Sequence, residues 1–203
     1  MRSSLTNPSP EKMRRFLQSR GPINAEQALE IAAQFSPKLL AKNEFLLRKG
    51  QVCDDYFFLD HGLLRAFASD PDGNEVTTAF YPSGQTVLEV SSFFNRTPSQ
   101  ENIQALTDCA GWVISFAQLN ALFHARPEFR EFGRGVLVQG FAALKSRMLA
   151  MITNSTTERY EELLHSSPEV LQHAPIKHIA TYLGVTDTSL SRIRAGAKGG
   201  GKA

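Results

Sequence analysis

The stretch YFFLDHGLLRAFASDPDGNEVTTAFY, residues 56–81, decides the fold of this chain. Short apolar runs rich in aromatic and β-branched residues alternate in it with turn signals, first His61-Gly62 and then Asp70-Pro-Asp-Gly-Asn74. An aspartate–glycine turn between two apolar runs is typical of a β-hairpin. The stretch therefore predicts successive antiparallel strands joined by tight turns.

The same pattern continues on both sides, from Leu39 to about Phe116. Further turn signals stand at Lys49-Gly50 and Ser83-Gly84, and ENIQALTDCAGWVISF, residues 101–116, adds two more apolar runs. Many short strands at roughly even spacing are typical of an antiparallel sandwich or barrel. We expect the middle of the chain to fold as such a unit.

Helical patterns flank this strand region. SPEKMRRFLQSRG (9–21) has a Ser-Pro start and a glycine stop, and INAEQALEIAAQF (23–35) has Asn24 as its cap. After the strands, PEFREFGRGVLVQGFAALKSRMLAMITNS (127–155) repeats apolar and small residues every three or four positions. Such a stripe packs either on its own domain or on a second subunit, and periodicity favours neither.

Near the C-terminus, PIKHIATYLGVTDTSLSRIRA (175–195) predicts a helix-turn-helix. Gly184 ends the first helix at a positive φ, and Thr186 is a suitable cap for the second helix. The side chains expected to face the core of the pair are Ile179, Ala180, Leu183, Val185, Leu190 and Ile193. A plain helical hairpin within a bundle is the alternative interpretation.

The outward face of the second helix carries Asp187, Thr188, Ser191 and Arg192, with Arg194 nearby. A helix in the DNA major groove presents such side chains to base edges, and Arg192 has the forked geometry that matches guanine O6 and N7. The residues that we expect to bind DNA are Lys177, Thr186, Asp187, Thr188, Ser189, Ser191, Arg192 and Arg194.

The composition is that of an ordinary globular protein of 203 residues. Because no run of eighteen apolar residues and no signal-peptide core occurs, we expect a cytoplasmic protein without a membrane-spanning helix. Cys53 and Cys109 lie far apart and are expected to be unpaired thiols. From Phe141 onward eight lysines and arginines face five acidic residues, a balance that permits nucleic-acid binding.

The pattern of titratable residues argues against an enzyme. A metal enzyme of the cupin type needs several histidines on strands, but His61 and His124 are isolated. His165, His173 and His178 fall in the helical end, where we interpret them as surface or capping residues. No Ser/His/Asp set and no pair of carboxylates stands out either. A small-molecule-binding module whose helical tail contacts proteins is the alternative to a DNA-binding protein.

Strands, a long helix and a terminal helix-turn-helix, in that order, resemble the Crp/Fnr family of bacterial transcription regulators. The resemblance is carried by EFLLRKGQVCDDYFFLDHGLLRAF (44–67), DPDGNEVTTAFYPSGQ (70–85) and ERYEELLHSSPEVLQHAPIKHIATYLGVTDTSLSRIR (158–194). It implies an α+β fold: N-terminal helices and a cyclic-nucleotide-binding-like antiparallel β-roll in residues 1–126, a dimerisation helix in 127–154, and a (winged-)helix-turn-helix domain in 155–203. The implied partners are double-stranded DNA, a second copy of the chain and RNA polymerase, with no membrane. The final GAKGGGKA (196–203) is expected to be a flexible tail.

The resemblance also places an effector site in the β-roll. Cyclic-AMP-binding members carry a Gly-Glu pair followed by an Arg-Ser pair, whose arginine clamps the cyclic phosphate. Here Glu89 matches the glutamate, Leu88 replaces the glycine, and Ser99 and Gln100 stand where Arg-Ser is expected. The effector-binding residues that we predict are Glu89, Ser91, Ser99, Gln100 and Lys145.

The missing arginine bears on which ligand this site would take. Without a guanidinium partner for the phosphate, we expect cyclic AMP to bind weakly or not at all. Arg96 lies three residues from the required position and is not expected to substitute. Either an unidentified small molecule is the effector, or side chains fill a β-roll that has lost its ligand.

Overall fold

The computed structural model describes residues 6–199, with side chains up to residue 195. Two short helices open it, α1 (Pro10–Gln18) and α2 (Ala25–Ala32). Both begin where the sequence predicts, because Ser9 accepts a hydrogen bond from the amide of Lys12 and Asn24 forms a reciprocal capping box with Gln27.

Eight strands follow and form two four-stranded antiparallel sheets. The strands are β1 (Ser36–Leu40), β2 (Phe45–Leu47), β3 (Asp55–His61), β4 (Leu64–Ser69), β5 (Glu75–Tyr81), β6 (Thr86–Val87), β7 (Asn102–Ala105) and β8 (Cys109–Ser115). One sheet has the order β1-β8-β3-β6 and the other β2-β7-β4-β5. The segment Asp70–Asn74 joins β4 and β5 as the predicted hairpin turn. A short helix, α3 (Val90–Asn95), lies between β6 and β7.

The main hydrophobic core lies between the sheets and beneath the N-terminal helices. Phe57, Leu59 and Leu64 are fully buried in it, and the ring of Phe16 from α1 stacks on Phe58 with 4.2 Å between centroids. Each such side chain stabilises the fold by about 1.5–3 kcal/mol relative to exposure. Both thiols, Cys53 and Cys109, are buried and free, as predicted.

Two helices lead away from the sheets, α4 (Phe116–Ala125) and the long α5 (Pro127–Thr153). The first turns of α5 pack on its own domain, where Phe129 and Phe132 are buried. Farther along, the apolar side chains are exposed, and Phe141 and Ile152 leave 70% and 74% of their surface in solvent. The two interpretations of the apolar stripe therefore apply to different parts of the helix. One end packs internally, and the other end is not covered by any residue in the described range 6–199.

The length of α5 also bears on one expectation from the sequence, the absence of a membrane-spanning helix. By length and composition alone, Pro127–Thr153 is apolar enough to cross a membrane, although no single run of eighteen apolar residues occurs in it. Lys145 and Arg147 interrupt the apolar run, and Arg147 donates a hydrogen bond to the carbonyl oxygen of Thr78 on β5. This contact fixes the helix beside the sheet.

Four helices complete the described chain: α6 (Thr156–Ser166), α7 (Pro168–His173), α8 (Ile176–Leu183) and α9 (Asp187–Gly199). We call α6–α9 the helical subdomain. Two details differ from expectation. Helix α9 runs through Gly199, so the first part of GAKGGGKA continues the helix, while residues 200–203 lie outside the described part of the chain. No strand follows β8 within residues 6–199, so the helix-turn-helix stands there without a wing.

A second hydrophobic core joins the helical subdomain to the β-roll. Leu63 and Leu106, at the ends of sheet strands, are buried together with Leu163, Ile179 and Leu190 from the helices. The ring of Phe80 on β5 lies 5.1 Å from that of Tyr182 on α8. The helical subdomain is therefore packed on the sheet β2-β7-β4-β5, and α5 is not its only connection to the rest of the protein.

Candidate nucleic-acid interface and effector site

The turn between α8 and α9 is built by glycine and one backbone bond. Gly184 has a φ of 71°, a left-handed conformation that costs glycine little. The amide of Val185 donates to the carbonyl of Ala180 at 3.0 Å, which satisfies one of the last helical carbonyls. Ala180 and Leu183 are buried, and so is Leu190 on the next helix. This is the helix-turn-helix geometry that the sequence predicts.

The start of α9 uses two of the residues predicted to bind DNA. The Thr186 hydroxyl accepts a hydrogen bond from the Ser189 amide at 3.3 Å, and the two hydroxyls lie 3.0 Å apart. Thr186 is therefore the N-cap, as predicted, and Ser189 is half-buried beside it. Both side chains contribute to the start of the helix, whatever else they contact.

The outward face of α9 holds the remaining candidates. Asp187, Thr188, Ser191 and Arg192 are exposed, while Arg194 is half-buried. Ser191 donates to the carbonyl oxygen of Asp187 at 2.9 Å, a local bond within the helix. Lys177 is exposed at the start of α8. The helix thus presents one polar face that includes Arg192 and buries Leu190 on the other face.

The carboxylate of Glu89, the matched residue of the predicted effector site, is already hydrogen-bonded to the backbone. It caps α3, accepting hydrogen bonds from the amides of Ser91 at 3.0 Å and Ser92 at 2.8 Å. Both amides belong to the first turn, where a helix leaves its amide donors unpaired. A ligand that used Glu89 would have to share the carboxylate with this cap.

The other predicted effector residues are dispersed. Ser99 is buried, and its hydroxyl is paired with the backbone of Glu101, donating to the carbonyl at 2.8 Å and accepting from the amide at 3.1 Å. Ser91, Gln100 and Lys145 are exposed. The five predicted residues therefore do not form one site lined by polar groups that are free to bind a ligand.

Two arginines near this segment already have partners. Arg96 donates to the carbonyl of Cys53 at 2.9 Å and to the carboxylate of Asp54 at 2.7 Å, and lies over the ring of Phe116. Arg147 is bound to the carbonyl of Thr78. Neither guanidinium is positioned as an unengaged phosphate clamp, so the expectation that Arg96 does not substitute for the missing arginine agrees with the geometry.

A half-open cavity of about 290 Å³ lies beside the effector segment. Leu88 and Cys53 line it together with Leu46, Leu47, Gln51, Val52, Asp54, Asp55 and Ile103. Burial raises the pKa of the Cys53 thiol, so the thiol stays protonated at neutral pH. Burial also raises the pKa of the nearby Glu101 carboxyl, and the charge of Glu89 adds to this rise. Acidic groups in this region disfavour an anionic ligand.

Sequence reasoning misjudged His178 and missed its contact with Arg65. His178 is not a surface or capping histidine: it is half-buried on α8, with its Nε2 3.0 Å from Nη1 of Arg65 on β4. No local pattern marks this contact, because the two residues are 113 positions apart. Among the described residues, no group of three or more histidines, cysteines and acidic residues has the arrangement of a metal site.

Comparison with known proteins agrees with this architecture. Residues 37–126 match the family model of the Cyclic nucleotide-binding domain. No curated protein sequence matches the chain.

Several solved structures share the fold beyond that domain. FixK2 from Bradyrhizobium japonicum superposes with a TM-score of 0.70 at 17% identity, over 82% of this chain and 86% of that one. The c-di-GMP responsive global regulator CLP from Xanthomonas campestris gives 0.67 at 18% identity, over 88% of this chain and 93% of that one. A CooA mutant from Carboxydothermus hydrogenoformans gives 0.65 at 17%, over 85% and 80%. Likeness at this identity establishes the α+β fold of the roll, the long helix and the helices that follow.

Proposed function

We propose that this chain is a sequence-specific DNA-binding transcription regulator of the Crp/Fnr type. It binds a palindromic operator as a homodimer, and the segment 186–194 of each copy reads one half-site. The observation that carries the proposal is the division of α9, whose inner face is buried through Leu190 while Thr188, Ser191 and Arg192 lie exposed on the outer face. A helix that only closed a core would not need an exposed arginine in the turn that follows its polar start.

The exposed half of α5 supports the homodimer. Phe141, Leu144, Met148 and Ile152 each leave more than half of their surface in solvent and recur at helical spacing. An exposed apolar stripe of this kind is typical of a helix that pairs with another copy. Two such helices would bring two recognition helices to one side of the dimer, where a spacing of about 34 Å is required for adjacent major grooves.

The effector that we propose is a small molecule other than cyclic AMP. Support comes from Ser99 in the position of the clamping arginine, from the engagement of Arg96 and Arg147, and from the acidic groups Glu89 and Glu101. The protein acts in the cytoplasm without catalysis, with RNA polymerase as a further partner. The contact of Arg147 with the sheet favours a helix paired beside the β-roll over one placed in a membrane.

A second candidate function is a small-molecule-binding module whose helical tail contacts other proteins. The cavity beside Leu88 and Cys53 is the observation that favours it. The two functions make opposite demands on the outer face of α9, because a protein-docking helix would expose apolar side chains and a DNA-reading helix exposes polar and basic ones.

Selection of bound DNA from a random pool distinguishes them. We expect the wild-type chain to recover a palindrome with half-sites one helical turn apart, and Arg192→Ala to lose one guanine preference in each half-site. Because one bidentate arginine–guanine contact is worth about 1–3 kcal/mol and both half-sites lose theirs, the affinity of the dimer should fall roughly thirtyfold or more. Gln172→Ala, an exposed polar substitution on α7, is the matched control and should bind as the wild type does.

Salt dependence gives an independent measure. Binding should weaken steeply as salt rises, because phosphate contacts release counterions. Recovery of no palindrome, or an Arg192→Ala chain that selects the same sequence with the same affinity, contradicts the proposal and leaves the binding module as the better account.

A further inference from the structure

A polar network joins the β-roll to the helical subdomain. Arg65 on β4 donates from Nε to the hydroxyl of Thr77 on β5 at 2.9 Å, and its Nη1 lies 3.0 Å from Nε2 of His178 on α8. Beside this contact, the Thr181 hydroxyl of α8 donates to that of Thr77 at 3.0 Å, and the Thr77 amide donates to Thr181 at 3.2 Å. The network is continuous from the sheet to the first helix of the helix-turn-helix.

The network is buried at its centre. Arg65 has no exposed surface and Thr77 has 1%. A buried guanidinium is tolerated only when it is paired, and Glu75 supplies the pair at 2.8 Å from Nη1. Glu75 itself is about half exposed, at the edge of the contact. Arg65 therefore stays charged, and everything that approaches Nη1 must accept a hydrogen bond.

This requirement fixes the state of His178. A guanidinium has only donors, so Nε2 of His178 accepts and carries no proton, and the single imidazole proton sits on Nδ1. A second proton on Nε2 would set an N–H against the N–H of Arg65 and place two positive charges side by side. Nδ1 is buried without a hydrogen-bond partner within residues 6–199, so the cation would gain no compensating contact there.

The charges around His178 do not reverse this preference. Glu75 from β5 and Asp187 from α9 favour the cation, while Arg65 from β4 and Lys177 from α8 oppose it. Burial outweighs all of them and lowers the pKa of His178 below its ordinary value of 6.5, with Arg65 as the next cause. The docked form thus binds protons more weakly than an undocked one. Docking is strongest above about pH 6.5 and weakens as the pH falls below it.

We propose that His178 is a proton-sensitive latch between the β-roll and the helical subdomain, and that its protonation weakens the docking of α8 on β5. Helix α9 shares a buried core with α8 through Leu183 and Leu190, so it moves with α8. The position of the recognition helix relative to the sheets then depends on acidity. This inference does not require the chain to bind DNA.

Hydrogen exchange on the full chain tests the latch. Wild type, His178→Gln and the control His173→Gln are compared at about pH 7.5 and about pH 5.5, across the range in which histidine titrates, with intrinsic exchange rates corrected for pH. Glutamine keeps an acceptor for Arg65 without titrating, and His173 is an exposed histidine on α7.

In the wild type and in His173→Gln, we expect amides of α8 and β5 to lose protection on acidification. A pKa difference of one is equivalent to about a tenfold change in the docking equilibrium. His178→Gln should keep its protection at the lower pH. Equal loss of protection in His178→Gln and wild type would overturn the proposal.

A titration of the wild-type chain provides a second measurement that does not depend on a variant folding. Imidazole chemical shifts followed by NMR should give His178 a pKa below its ordinary value of 6.5. A pKa of His178 at or above 6.5 would overturn the latch, because docking would then favour the protonated form.

Discussion

The outer face of α9 and the segment around α3 carry similar polar side chains, but those of α9 are exposed and those around α3 are hydrogen-bonded to the backbone. On α9, Thr188 and Arg192 are exposed, and the helix is capped by Thr186 and not by either of them. Glu89 before α3 and Ser99 after it are instead hydrogen-bonded to backbone groups of their own segment. Polar residue types alone therefore do not mark a ligand site. The distinction is whether the local backbone still needs those side chains.

The long helix α5 shows the same contrast for apolar residues. Phe129 and Phe132 are buried against the N-terminal domain, whereas Phe141 and Ile152, on the same helix, are mostly exposed. One continuous apolar stripe is thus buried in the core at one end of α5 and exposed to solvent at the other end. Substitutions that separate structural from available side chains test this comparison.

The largest expected effect comes from the available part of α5. Phe141→Glu should turn a dimer into a monomer, because the new carboxylate would be buried without a partner between two helices, at a cost of about 3–5 kcal/mol. Sedimentation or light scattering measures the change. Gln139→Glu introduces the same charge at an exposed polar position of the same helix and should remain dimeric. Loss of the dimer in both variants, or in neither, contradicts the proposed interface.

The next effect concerns the buried side of α9. Leu190→Ala should lower the free energy of unfolding by about 2–5 kcal/mol, since Leu190 has no exposed surface and its removal leaves a cavity in the second core. Ser191→Ala, one position farther on the outer face, should change stability by less than about 0.5 kcal/mol. Urea unfolding of the two variants measures the difference. Similar stability of both variants would mean that the two faces of α9 are not divided as described.

The smallest effect concerns the turn before α3. Glu89→Ala should cost about 1 kcal/mol of stability through loss of the helix cap, which urea unfolding detects, while Gln100→Ala, at an exposed position, should cost nothing measurable. The expectation is contradicted if calorimetry shows that the wild type binds cyclic AMP with micromolar affinity, and if Glu89→Ala abolishes this binding without lowering stability. Such a result would make Glu89 a ligand-binding residue and overturn the expectation for cyclic AMP.

Much of the fold could be predicted because its signals are local. The hairpin at Asp70–Asn74, the capping box at Asn24 and the positive-φ Gly184 depend on residues within a few positions of one another. Their hydrogen bonds close within one turn of chain, so the side chains that form them are adjacent in the sequence. The same holds for the outward face of α9, which follows from helical spacing once the apolar positions are assigned.

The effector segment could be predicted only in part. The sequence marks Glu89 as a candidate ligand but predicts only strands from Leu39 to about Phe116. The capping of Ser91 and Ser92 by Glu89 appears only in the structure, where α3 begins. Likewise Ser99 is a plausible polar ligand until its burial against the backbone of Glu101 is known. In both cases the side chain binds backbone groups and is not free for a ligand. Every residue has these backbone groups, so the sequence does not indicate which of them a side chain will bind.

The sequence by itself determined the strand-rich middle of the chain, several helix caps and the two faces of α9, because turns, caps and helical periodicity depend on neighbouring residues. Only the tertiary structure decided that α5 leaves half of its apolar stripe uncovered, and that Arg65 and His178 meet across 113 positions. Such contacts depend on how separate elements pack. A buried guanidinium can donate a hydrogen bond to any group with a free lone pair, so nothing in the local sequence of His178 identifies it as the partner of Arg65.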